Sequence, residues 1–245
     1  MFINIKTSLQ MFLLYVGLVT FFSYITLYVL FYKFLMKISD NFRNLEYNRR
    51  MYIVKNYVKS FVLGIGTINS LMIIYYILFA WSPDIINFVK FNTLAYFLTD
   101  TVGLLLVRKL EITTKMHHMA TNLLGMFVVL SNHTNICGAN LPALYGAFST
   151  LSFSVNFYLA FRAQHPTSPY RPILSKISFW IYAITSIINW FVQTYYLSMV
   201  MYHTNEYIFQ AIYSLCLFVI IKDDIVLMKW LRNDFIKRNV IKKVE

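Results

Sequence analysis

Asp100, His117 and His118 are the residues of this 245-residue chain whose types and spacing point most directly to chemistry. Asp100 stands inside an apolar run, and the two adjacent histidines open the next run after a short basic loop. A carboxylate beside an imidazole orients its tautomer and raises its basicity, as general-base work on a hydroxyl or amine requires. Helices joined by a short loop run antiparallel. Asp100 would then lie about 10 Å from the basic end of its helix, where one histidine reaches it through a small register offset or a water. Read alone, the histidine pair is equally a pair of interfacial residues solvated among lipid headgroups. Asp100 needs a partner on either reading, because an ionised carboxylate inside a span costs several kcal/mol.

The elements that must position these groups follow from composition. The chain is 58% hydrophobic and only 13% charged, whereas a soluble domain carries about 25% charged residues. That excludes an ordinary cytosolic enzyme and predicts an all-α integral membrane protein. Seven apolar runs are candidate transmembrane helices: 9–32, 61–81, 85–107, 116–130, 139–161, 177–201 and 207–221. The first is too long and too aromatic for a secretory signal and has no small-residue cleavage site after it, so it reads as an uncleaved helix.

Charge placement gives the expected orientation. Of the 22 basic residues, all but Lys6 and Lys90 fall after runs one, three, five and seven. Positive loops stay cytosolic, which predicts a lumenal N-terminus and a cytosolic C-terminus. The net charge of +12 is then a topology label rather than the basic face of a nucleic-acid binder. Lys242 and Lys243, third and fourth from the end, form a dilysine pattern that is read as an endoplasmic-reticulum address when it is cytosolic.

Polar residues inside the runs recur at helical spacing. His118, Thr121, Asn122 and Gly125 share one face, as do Tyr145, Ser149, Ser152 and Asn156, and Ser186, Asn189, Gln193 and Tyr196. Lipid offers these groups no partner. Either they bond helix to helix, or they line a central cavity to which Thr121, Asn122, Ser149, Ser152, Asn156, Asn189 and Gln193 contribute. The first run lacks such a face and is expected to be peripheral. Asp223 and Asp224 read as solvated acids balancing the basic tail, with a divalent-cation site beside the histidine pair as the alternative. Cys137 and Cys216 read as small buried apolar residues, and no metal or cofactor is expected. Five histidines divided between two sides exclude a membrane di-iron oxygenase, and no phosphate-binding glycine loop or nucleophile elbow is present.

The segment Tyr96-Phe-Leu-Thr-Asp100, the basic loop and Met116-His117-His118-Met-Ala-Thr121 resemble the centre of the TLC domain. That membrane domain is shared by translocating-chain-associated proteins, ceramide synthases and a neuronal lipofuscinosis protein. Upstream, Glu46-Tyr47-Asn48-Arg49-Arg50 is similar to the Trp-Asn-x-Arg segment that opens it, with Tyr47 in place of Trp. The resemblance implies a six-helix core over residues 44–235, preceded by a peripheral helix within 1–43 and followed by a basic tail at 236–245. It implies Asp100, His117 and His118 as site residues. Ceramide synthases carry a His-Asp-x-x-Asp segment where this chain has Leu144-Tyr-Gly-Ala-Phe-Ser149, and the histidine expected after the arginines is missing, with Asn56 nearby.

The expected function is therefore that of the smaller TLC proteins, binding, sensing or regulating membrane lipid composition in the endoplasmic reticulum. Membrane lipids are the expected partners, nucleic acid is not, and assembly as a homo- or hetero-oligomer stays open. Two alternatives remain: an acyltransferase with acyl-CoA as co-substrate and the histidine pair as base, and a helper of protein translocation or transport. Replacing Lys242 and Lys243 by Ser is expected to move a tagged protein from the endoplasmic reticulum to later compartments. Unchanged retention in fluorescence microscopy would contradict the dilysine reading.

Overall fold

From Tyr47 to Phe79 the chain has no proline, and its apolar and basic residues alike favour a helix. In the computed structural model, which describes residues 2–108 and 110–241, that run is one helix. The elements are α1 (Phe2–Ile38), α2 (Asp40–Arg43), α3 (Tyr47–Phe79), a 3₁₀ turn (Pro83–Ile85), α4 (Ile86–Leu106), α5 (Ile112–Leu130), α6 (Asn140–Thr150), α7 (Phe153–Gln164), α8 (Arg171–His203) and α9 (Tyr207–Ile241). Among the described residues there is no strand.

Three helical stretches are long and apolar enough to cross a membrane: Leu14–Ile38 of α1, and the whole of α3 and α8. At about 1.5 Å per residue, a helix of 33 residues is ~50 Å long. That exceeds the ~30 Å hydrocarbon core. The outer faces are apolar: Tyr15, Phe22 and Phe34 on α1, Ile65, Ile68 and Phe79 on α3, and Ile184, Ile188 and Phe191 on α8 are exposed. Such a surface suits lipid rather than water.

The helices correct two boundaries expected from hydropathy. α3 begins at Tyr47, well before the apolar run at 61, so Lys55 and Lys59 belong to a helix and not to a loop. α9 continues past residue 221 to Ile241, which makes helix of much of the basic tail. Hydropathy misses both segments because lysine and arginine interrupt the apolar run without interrupting the backbone. Lys242 and Lys243 lie outside the described residues.

The expected fifth run is two helices. Ser149, Thr150 and Ser152 turn their hydroxyls back to donate to the carbonyls of Tyr145, Ala147 and Ser149. The amides of Leu151 and Ser152 bond only three residues back. Side-chain back-bonding and a tightened final turn bend the axis between α6 and α7.

The broken rod lies at the centre. α6 packs against α3, α4, α5 and α8, and α7 packs against α3 and α8. α4 pairs with α5, α8 with α9, and α5 with α9, while α1 lies outside against α3 and α4. One apolar core joins α3, α4, α5, α6, α8 and α9 through Ile73, Val89, Val128, Leu141, Leu144, Val200 and Ile220. A second fastens α1 and α2 to α3 and α4 through Tyr28, Phe42, Val54, Val58 and Val102. The Tyr24 hydroxyl also donates to the Ala95 carbonyl at 2.9 Å.

Glycine is needed where α5 meets α4. A Cβ at Gly125 would run into Cβ, Cγ and Cδ1 of Phe97, the inflexible root of that side chain, whereas one at Gly66 would meet nothing. Gly125→Ala is expected to destabilise by roughly 1–3 kcal/mol through overpacking, with Gly66→Ala neutral or slightly stabilising. Thermal unfolding in detergent, compared across the two variants, checks this; equal midpoints would contradict the α4–α5 contact.

Candidate functional site: a buried charge network beside a cavity

α3 carries Tyr52, Lys55, Asn56, Lys59 and Leu63 on one face, at spacings of three and four residues. All five line a cavity of about 480 Å³. Its other walls are Tyr96 of α4, His117 and His118 of α5, Tyr145 and Ser149 of α6, Arg162 of α7, Tyr182 and Asn189 of α8, and Asp223, Asp224 and Trp230 of α9.

Behind this wall sits Asp100 with 0% exposure. The Lys59 ammonium donates to its Oδ1. Its Oδ2 is 3.2 Å from His118 Nδ1, although the ring is turned out of line for a hydrogen bond. The Thr121 hydroxyl lies 3.3 Å from the same oxygen and 3.0 Å from the His118 carbonyl. On the far side of the imidazole, the Lys55 ammonium donates to His118 Nε2 at 3.2 Å. An ammonium can bond only to the lone pair of a ring nitrogen, so with Lys55 charged the ring proton is assigned to Nδ1, on the side of Asp100. Gly103 makes room for this arrangement: a Cβ there would stand 3.3 Å from Cε of Lys55.

The two histidines have separate environments. His118 is buried, its Nε2 edge bonded to Lys55 and its Nδ1 edge beside Asp100. His117 faces the cavity with its Nδ1 3.3 Å from Oδ2 of Asp223, again out of line for a hydrogen bond. Their rings stand edge to face, 5.5 Å between centroids. Of the pair, His117 is the one placed to exchange a proton with a molecule in the cavity, with Asp223 behind it. His118 is placed to hold Asp100.

The expected polar faces divide in the same way. Ser149, Ser152, Asn156 and Asn189 line the cavity, together with Tyr145 and Ser186. The break between α6 and α7 does not remove residues 145, 149, 152 and 156 from it. Thr121, Gln193 and Asn122 are not on the wall. Thr121 belongs to the Asp100 network. The buried Gln193 amide lies between Asn189 at 3.0 Å and the Tyr213 hydroxyl at 2.5 Å. Asn122 is half-buried, its Oδ1 without a partner among the described residues.

Asp223 and Asp224 are not the solvated pair expected. Asp224 is 3% exposed and accepts hydrogen bonds from the Tyr182 hydroxyl at 2.6 Å, Trp190 Nε1 at 3.3 Å and the Tyr145 hydroxyl at 3.4 Å. α9 continues as helix through these residues and packs against α8, which turns Asp224 inward. Lys55, Lys59 and Asp224 are the site residues that sequence reasoning missed. Lys55 and Lys59 had a legible signal: two lysines four apart in a stretch free of helix breakers, in a chain with an intramembrane acid that needs a cation. Asp224 had none, because Asp223-Asp224 at the foot of an apolar run looks the same whether turned in or out.

Set beside models of protein families, curated proteins and solved structures, the chain matches none of them. What fold and site define is an all-helical protein with three membrane-length helices and a buried Lys–Asp–His network beside a polar cavity.

Truncating one partner of a buried ion pair strands the other, at about 3–5 kcal/mol. Lys59→Met and Asp100→Leu are each expected to lower stability by that order. The double variant should lose clearly less than the two singles combined, as coupled partners do. Urea or thermal unfolding of the four proteins in one detergent measures this; strict additivity would contradict the pairing.

Proposed function

We propose that this chain is a multi-pass membrane protein of the TLC type that binds, senses or regulates membrane lipid composition in the endoplasmic reticulum. On this reading it crosses the membrane seven times, with a lumenal N-terminus and a cytosolic C-terminus. Residues 44–235 form the six-helix core, and the cavity opens among the cytosolic helix ends. The observation that carries the reading is the cavity itself. Apolar Leu63, Phe148, Val155 and Leu159 share its wall with Lys55, His117, Asn156 and Asn189, a mixture suited to an amphipathic ligand. Its volume of about 480 Å³ is within the ~300–1,000 Å³ of small-molecule sites. The apolar outer faces of α1, α3 and α8 support the bilayer setting.

A second reading has an observation of its own. His117 on the cavity wall with Asp223 close by offers an imidazole that could take a proton from a bound molecule, which fits acyl transfer from acyl-CoA to a hydroxyl or amine.

One experiment separates the two. Protein purified in a mild detergent is expected to retain cellular lipid detectable by mass spectrometry, and to show no transfer from labelled acyl-CoA to a panel of lipid alcohols and amines. Turnover that falls about a hundredfold or more in His117→Ala, the contribution of a general base, would establish the acyltransferase instead. Neither retained lipid nor turnover would contradict both.

A further inference from the structure

Two buried ionisable groups of opposite sign, Lys55 and Asp224, face this cavity without an ion-pair partner among the described residues. Lys55 is 5% exposed, and its contact is the lone pair of His118, a neutral acceptor. The nearby carboxylate, Asp100, is engaged by Lys59. Among the described residues no carboxylate forms an ion pair with Lys55. Arg162 adds a second cation on the wall, its guanidinium 3.9 Å above the Trp230 ring and likewise without a carboxylate ion-pair partner among the described residues.

On α9, Asp224 has the opposite imbalance. Its three donors, Tyr182, Trp190 and Tyr145, are all neutral. Among the described residues no cation forms an ion pair with it. The histidine pair divides the two ends, His118 touching Lys55 and His117 touching Asp223, the neighbour of Asp224.

A buried charge without a counter-charge is unfavourable by several kcal/mol. An anion alone would satisfy Lys55 and leave Asp224; an amine alone would do the reverse. We propose that the cavity binds a ligand carrying both charges, the phosphate ester of an amino alcohol. Its phosphate lies on Lys55 and Arg162, and its ammonium lies on Asp224 among the rings of Tyr145 and Tyr182. Charge-assisted hydrogen bonds hold the phosphate; the carboxylate and aromatic faces together hold the ammonium. This assignment rests on the lipid-binding reading above and specifies its headgroup. The same chemistry occurs in a zwitterionic phospholipid and in the free phosphorylated amino alcohol.

The full chain in an uncharged detergent, titrated by its tryptophan fluorescence, tests this with four probes. They are dioleoylphosphatidylethanolamine, phosphoethanolamine, dioleoylphosphatidic acid, which has the phosphate alone, and oleylamine, which has the ammonium alone. The ethanolamine lipid is expected to bind about tenfold or more tightly than either single-charge lipid, one charge-assisted contact being worth that much. Lys55→Met should bring it level with oleylamine, and Asp224→Asn should bring it level with phosphatidic acid. Each variant keeps one probe that it still binds, which shows that it folds, and Lys55→Arg should retain the wild-type preference. Phosphoethanolamine binding as tightly as the lipid would assign the site to the free compound; much weaker binding would assign it to the bilayer headgroup. Equal affinity of the wild type for the ethanolamine lipid and phosphatidic acid overturns the proposal while lipid binding stands. Failure to bind any of the lipids overturns both.

Discussion

A carboxylate with no exposed surface cannot rely on water, and Asp100 is such a group. Lys59 takes one of its oxygens, while His118 and Thr121 flank the other. Those partners come from α3 and α5, so satisfying Asp100 of α4 fixes the three helices against one another. The stem of Lys55 passes close to Gly103, and its ammonium closes the far edge of His118. Once these groups are in place, the cavity wall is set. His118 is committed to the network, Lys55 is left without an ion-pair partner among the described residues, and His117 is turned toward the space in front.

This dependence explains two features that look unrelated. α3 extends as a regular helix well beyond its apolar run, because the segment that carries Lys55 and Lys59 must run alongside α4 to reach Asp100. Across the break between α6 and α7, Tyr145 and Ser149 of α6 and Asn156 and Arg162 of α7 all stay on the cavity wall. The helix breaks where three hydroxyls compete for backbone carbonyls, and the wall continues across it.

Much of this was legible from residue types. The long apolar helices and the approach of one histidine of the pair, His118, to Asp100 follow from hydropathy, helical spacing and the cost of a lone buried acid. The polar faces were legible as faces, but not the depth of each residue. Ser149 and Asn189 reach the cavity, whereas Gln193, one turn beyond Asn189, is used in packing against Tyr213. Spacing gives the side of a helix and says nothing of where along it a cavity ends. The lysines were misplaced for a different reason. Hydropathy treats a lysine as a boundary, while its long aliphatic stem allows it to sit inside a helix bundle when a carboxylate is in reach. Asp224 was beyond sequence reasoning, since its burial is decided by Tyr182 and Trp190 on another helix.

His118 sits between the Lys55 ammonium and the Asp100 carboxylate, and its tautomer follows from those two neighbours. Nitrogen NMR of histidine-labelled protein in lipid bilayers, with His118→Asn used to assign its signal, reads this directly. The account predicts a neutral ring with the proton on Nδ1, the less common tautomer of free histidine, converting to the ordinary Nε2-protonated form in Lys55→Met. A wild-type His118 protonated on Nε2, or on both nitrogens, would contradict it.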